Sequence, residues 1–98
     1  MATNNSKPHV YLLHFQQKLH HAQHYAGWTP GNVENRLALH RNGRGARLTQ
    51  VVAGLGIEIV VARIWDVESN HEARLMERRL KNGHNLPQSC PLCKRREA

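Results

Sequence analysis

Residues 10–15 read Val10-Tyr11-Leu12-Leu13-His14-Phe15, an apolar run bounded by Pro8 on one side and Gln16-Gln17 on the other. Its shortness, its β-branched and aromatic members and its flanking proline predict a buried strand. Successive strand side chains alternate, so Tyr11, Leu13 and Phe15 share one face, and Val10, Leu12 and His14 the other. A polar stretch over 16–23 follows, then His24-Tyr25-Ala26-Gly27-Trp28, a second short strand. The two are expected to pair as an antiparallel hairpin with a longish loop. Thr29-Pro30 opens a helix, threonine as cap and proline in the first turn. Val33, Leu37 and His40 follow helical spacing, with Arg36 beside them, up to Asn42-Gly43. A basic link, Arg44-Gly45-Ala46-Arg47, leads to a short helix over 48–52. Residues 57–65 form the clearest strand, apolar and β-branched. Ser69 and Glu72 are spaced as a capping box for a last helix ending near Asn82, with Ala73, Met76 and Leu80 as its inner stripe. The predicted class is α/β: a small three-stranded antiparallel sheet flanked by helices, in the order β-β-α-α-β-α.

The chain has 98 residues, enough for one small domain with a thin core. Residues 1–8 are expected to be a flexible N-terminus, 9–83 the folded domain, and 84–98 a basic tail carrying Cys90-Pro91-Leu92-Cys93. The hydrophobic fraction of 40% and charged fraction of 21% argue against a disordered chain. No window is apolar enough to span a membrane. The first residues lack the apolar stretch of a secretion signal, so a cytoplasmic location is expected. Lysine and arginine total 14 against 7 acidic residues, a net charge of +7. Arginine dominates that excess, and its planar fork suits two phosphate oxygens. The expected partner is a polyanion, with nucleic acid foremost.

Val10-Tyr11-Leu12-Leu13 and Tyr25-Ala26-Gly27-Trp28-Thr29 resemble the two halves of the GIY-YIG nuclease motif. Arg36-Leu37 with His40 resembles that family's arginine helix, and Gly43-Arg44-Gly45-Ala46-Arg47-Leu48-Thr49 its glycine-rich basic connection. Glu72-Ala73-Arg74-Leu75-Met76-Glu77 resembles its glutamate helix. The five pieces stand in order across residues 9–82. The pattern departs from the family at His9-Val10, where glycine and isoleucine are usual, and at Ala26, where isoleucine is usual.

The resemblance implies a GIY-YIG-like fold and a metal-dependent DNA endonuclease that hydrolyses phosphodiester bonds. It implies Tyr11 as general base, Tyr25 as the residue positioning water or phosphate, and Arg36 as the steadying charge on the transition state. His40 would bind phosphate or shuttle a proton. Glu77 would hold Mg²⁺ (or Mn²⁺). Asn82 or Asn85 is the candidate for the asparagine that members often carry after the glutamate helix. The chemistry agrees: an anionic phosphodiester needs an activated nucleophile, cancelled transition-state charge and an assisted leaving group. Arg41, Arg44, Arg47 and Lys81 are the expected DNA-backbone contacts. No base-reading module stands out, so low sequence specificity or a preference for DNA structure is expected, with a homodimer or a protein partner as a source of selectivity.

Each residue also has an ordinary reading. Tyr11 and Tyr25 serve as buried strand tyrosines, Arg36 as a solvated helix residue, and Glu77 with Lys81 as an i,i+4 ion pair. The same composition suits a non-catalytic nucleic-acid-binding module of this fold. His20, His21 and His24 form a histidine patch, expected to be a solvated loop. Cys90 and Cys93 have the spacing of half a zinc site, with His84 and one further group such as His71 as completing ligands, or are free thiols on a flexible tail.

Overall fold

The computed structural model of the chain describes residues 7–19, 22–82 and 86–93. Three strands, β1 (His9–Leu19), β2 (Ala22–Thr29) and β3 (Ile59–Asp66), form one antiparallel sheet in the order β2-β1-β3. Helices α1 (Val33–Arg41) and α2 (Arg47–Gly54) lie between β2 and β3, and α3 (Asn70–Asn82) follows β3. The α/β class and the element order read from the sequence are therefore present. A short fourth helix, α4 (Leu86–Ser89), stands beyond them.

The central place of β1 explains why its residues are apolar without alternation. Tyr11, Leu13 and Phe15 on one face and Val10 and Leu12 on the other are all at most 1% exposed. A strand covered on both faces must be hydrophobic on both. The first face joins Val33 and Leu37 of α1, Val52 of α2 and Ile59 of β3 in the main core. Each such side chain, removed from water, contributes roughly 1.5–3 kcal/mol before chain entropy is set against it. α3 packs on β2 and β1, with Ala73 fully buried, and α4 packs on β2. The Arg74 guanidinium lies 5.4 Å from the Trp28 ring centre.

In the hairpin Tyr11 pairs with Gly27, Leu13 with Tyr25, and His14 with His24. Paired residues share a face, so Tyr11 and Tyr25 stand on one side of the sheet and His14 and His24 on the other. Both strands run further than the sequence suggested, through the polar residues of the expected loop, with Leu19 opposite Ala22. Gln16, Gln17 and Lys18 are exposed, so this extension rests on backbone pairing and leaves no apolar pattern to read. On the other side, β3 carries one extra residue against β1, where Leu12 faces Arg63 and Leu13 faces Val61.

The helix starts differ in detail from expectation. Asn32, not Thr29, caps α1: its side chain accepts from the Glu34 amide at 2.7 Å. The Thr29 hydroxyl instead accepts from the Gly31 amide, closing a turn around Pro30. At α3 the Ser69 hydroxyl accepts from the Glu72 amide at 3.1 Å, as the capping box requires. The Glu72 carboxylate reaches back to the Glu68 amide, one residue earlier than the usual partner. Of the expected flexible N-terminus, residues 1–6 lie outside the described residues. Pro8 is buried and its carbonyl accepts from the Val67 amide. No helix among the described residues is long and apolar enough to cross a membrane.

Candidate functional site

The first face of the hairpin carries a chain of buried polar groups that reaches α1 and α2. The Thr49 hydroxyl donates to the Ala46 carbonyl at 2.9 Å, leaving its oxygen to accept from His40 Nδ1–H at 2.7 Å. His40 Nε2 then holds a lone pair and accepts the Tyr11 hydroxyl at 2.9 Å. Tyr11, His40 and Thr49 are each at most 1% exposed. Burial first, and then the nearby Arg36 charge, push the His40 pKa down to about 4, so the ring is neutral near pH 7. With both nitrogens engaged, His40 orients Tyr11 and is not placed to grip a phosphate.

Two glycines make this arrangement possible. A Cβ on Gly27 would lie 2.6 Å from both Cζ and the hydroxyl oxygen of Tyr11. A Cβ on Gly45 would collide with His40 Nδ1. At neither position does the backbone adopt a positive φ, so these glycines serve by lacking a side chain rather than by conformational freedom.

Tyr25 stands beside this chain, its ring centre 5.2 Å from that of His40. Arg36, one turn before His40 on α1, is close enough to act on both tyrosines. Burial raises the Tyr11 pKa, while a hydrogen bond from Arg36 and its charge pull it down. Burial, then the Glu77 carboxylate, raises that of Tyr25. Arg36 Nε is buried and has no hydrogen-bond partner. From α3, Lys81 Nζ lies 4.9 Å from the Tyr25 ring centre and 3.6 Å from the Glu77 carboxylate. The structure thus brings Tyr11, Tyr25, Arg36, His40, Glu77 and Lys81 into one neighbourhood.

The remaining sequence candidates divide. Arg41 is exposed, but its Nε donates to the Ile59 carbonyl at 3.0 Å, tying α1 to β3. Arg44 and Arg47 are exposed. Asn82 is exposed at the end of α3, and Asn85 lies outside the described residues. Two concavities of the described surface lie elsewhere. One, about 510 Å³, is lined by residues including His9, Asn32 and Asp66; the other, about 460 Å³, by residues including Glu68, Glu72 and Arg79. At the tyrosine cluster Tyr11 is buried, and Tyr25, Arg36 and Glu77 are half-buried around it. The cluster's oxygen donor set is one carboxylate with two phenols. A magnesium ion, which keeps most of its waters, fits such a sparse set; zinc does not.

The opposite face holds a second group. His14, His24, Cys90 and Cys93 each offer one ligand atom, and the four atoms lie within 4.8 Å of one another. His14 is 1% exposed, Cys90 is fully buried and His24 is 8% exposed. Burial, then repulsion from His14, lowers the His24 pKa to about 4. This buried group could hold a metal ion, and its nitrogen and sulfur donors are more typical of zinc than of magnesium. Cys90 and Cys93 belong to it as the spacing suggested, but not with the companions expected. His71 is exposed in the first turn of α3, and His84, His20 and His21 lie outside the described residues. His24 is a strand residue, not part of a solvated loop. The missed signal was a histidine on each of two paired strands. Once Tyr11 is set opposite Gly27, antiparallel register places His14 opposite His24.

No family model, no curated protein and no solved structure matches the chain.

Proposed function

We propose that the chain is a metal-dependent DNA endonuclease of the GIY-YIG type, hydrolysing phosphodiester bonds with low sequence specificity or a preference for DNA structure. The observation that carries the reading is the buried, unpartnered Nε–H of Arg36 amid Tyr11, Tyr25 and Glu77. A buried donor without an acceptor is costly, and a phosphate oxygen is the acceptor that this fork-shaped cation suits best. In this reading Arg36 binds the scissile phosphate and cancels charge as it builds. Glu77 holds Mg²⁺ (or Mn²⁺), which supplies Lewis acidity at the phosphate when bound. Tyr11 takes a proton from the attacking water as its own hydroxyl proton passes to His40 Nε2. Anion binding at Arg36 offsets the positive charge that depresses the His40 pKa, so the ring becomes a better acceptor as substrate arrives. Tyr25 positions the phosphate, and Lys81 with Arg44 and Arg47 holds the flanking backbone.

Purified protein with magnesium is expected to nick plasmid or branched DNA. Tyr11→Phe should slow cleavage by about 10²–10⁴-fold, the usual loss on removing a proton-transfer group. Arg36→Ala should cost about 10²–10³-fold, as for a lost transition-state donor. Wild-type rates in these variants, or in Glu77→Gln, refute the assignment.

A second reading has its own observation. Tyr11 is 1% exposed, so its hydroxyl has little access to an incoming water. That favours a non-catalytic nucleic-acid-binding module of the same fold, in which Arg36 grips phosphate and Tyr11 is only a core residue. Metal-independent DNA binding with no cleavage of any branched or linear substrate selects it.

A further inference from the structure

We propose that His14 Nδ1, His24 Nε2, Cys90 Sγ and Cys93 Sγ bind one Zn²⁺ in a closed structural site that fastens the C-terminal segment to the back of the hairpin. The first argument is metric. Zinc bonds of about 2.0–2.1 Å to nitrogen and about 2.3 Å to sulfur, at tetrahedral angles, set the ligand atoms apart by known amounts. Two nitrogens should stand about 3.3 Å apart, and nitrogen and sulfur about 3.5 Å apart. The two ring nitrogens are 3.4 Å apart. Three of the four nitrogen–sulfur separations are 3.2, 3.5 and 3.8 Å. Four of the six ligand-atom separations thus match those that a tetrahedral zinc sets, and all six lie within 4.8 Å.

Hydrogen bonding alone accounts poorly for this convergence. His14 Nδ1 has His24 Nε2, Cys90 Sγ and Cys93 Sγ all within 3.8 Å. A ring nitrogen offers one proton or one in-plane lone pair, so it serves one of three neighbours. A central cation satisfies all four groups together. Two thiols lose their protons to solvent as the ion binds, so the dication and two thiolates sum to zero charge in a buried place.

The placement indicates a structural role. His14 and His24 are a cross-strand pair, so the hairpin presents two ligands on one rigid surface. Cys90 and Cys93 come from the segment after α4, which packs on β2. Four protein ligands leave no open position for substrate. The site faces away from Tyr11 and Tyr25, because neighbouring strand residues point to opposite faces. Zinc there backs the strand that carries Tyr25 without touching the reaction that the other face is proposed to perform.

The test uses the full-length protein. Elemental analysis of protein purified without added metal is expected to find one zinc per chain. Replacement by Co²⁺ should give the intense visible bands of a tetrahedral ion with a thiolate-to-cobalt charge-transfer band in the near ultraviolet. Cys93→Ser and His24→Ala should lose stoichiometric metal, and His71→Ala should keep it. Because the cobalt spectrum is read on the wild type, a variant that fails to fold leaves the outcome decided. Three results overturn the proposal: protein that neither carries nor takes up zinc, weak octahedral cobalt bands, or a Cys90–Cys93 disulfide in place of metal. None of these readouts depends on DNA cleavage, so a zinc protein without nuclease activity would remove only the catalytic reading.

Discussion

Replacing Gly27 with alanine probes the packing under the tyrosine cluster most directly. The new methyl would sit 2.6 Å from Cζ and from the hydroxyl oxygen of Tyr11, and 2.9 Å from Cε1. Ordinary carbon contacts begin near ~3.5 Å, so the ring must retreat by roughly 0.8–1 Å. Tyr11 is 1% exposed and lies in the central strand, so it has nowhere to retreat without displacing Leu13's and His40's neighbours. Overpacking of this kind costs about 1–3 kcal/mol. The 2.9 Å bond to His40 Nε2 is broken by the same motion, which adds about 0.5–1.5 kcal/mol. Alanine restricts the unfolded chain and returns about 0.4–1 kcal/mol. The net is a loss of about 0.5–4 kcal/mol, centred near ~2, or a melting temperature lower by about 8–16 °C at that centre for a domain this size. Gly54→Ala is the internal control. It closes α2, has a negative φ, and a Cβ there meets nothing within 4 Å. It should stabilise by about 0.5–1 kcal/mol through helix propensity. Urea denaturation of both variants, with unchanged m-values, reads the difference. If Gly27→Ala unfolds at the wild-type midpoint, the glycine is not there to seat the Tyr11 ring.

Three further outcomes follow from the same structure. Thr49→Val removes the acceptor for His40 Nδ1–H inside the core, and thermal melting should register a loss of about 1–3 kcal/mol; an unchanged midpoint would show that the ring finds another partner. His40 ties stability to pH: its pKa is about 4 folded, against ~6.5 unfolded. The unfolded chain therefore binds more protons between these values, and stability is full above pH 6.5 and falls as pH drops toward 4, by up to about 3 kcal/mol. The difference between wild type and His40→Gln across that window isolates this group from the cluster on the opposite face, and parallel pH profiles would contradict the buried-neutral assignment. The Lys7–Glu68 pair is exposed on both partners at 58% and 74%; Glu68→Ala should shift stability by less than ~1 kcal/mol, and a larger loss in denaturant titration would mean that the N-terminal contact matters more than its exposure indicates.

Much of the fold was legible because it depends on local chemistry. The run at Val10–Phe15, apolar but for His14, marks a strand covered on both faces, as the central place of β1 between β2 and β3 requires. Ser69 and Glu72 announced α3, and the positive φ of Gly43 and Gly56 agrees with the glycines that punctuate the first two helices. The extension of the hairpin was not legible. Gln16, Gln17 and Lys18 carry no apolar alternation, and only backbone pairing makes them strand. The shift of the α1 cap from Thr29 to Asn32 was also hidden, since both residue types cap well and the turn around Pro30 decides between them.

The sequence by itself determined the class of the domain, the strand faces and the residue types available for chemistry, because side-chain alternation, capping and charge act over a few neighbours. Tertiary structure alone decided which of those residues meet. It turned His40 from a free helix residue into the acceptor for Tyr11, and left the Arg36 Nε–H buried without a partner. It joined His14 and His24 to cysteines more than sixty residues away. Strand register and the docking of α4 are long-range matters of burial and backbone pairing, and no local pattern encodes the distance at which four ligand atoms converge.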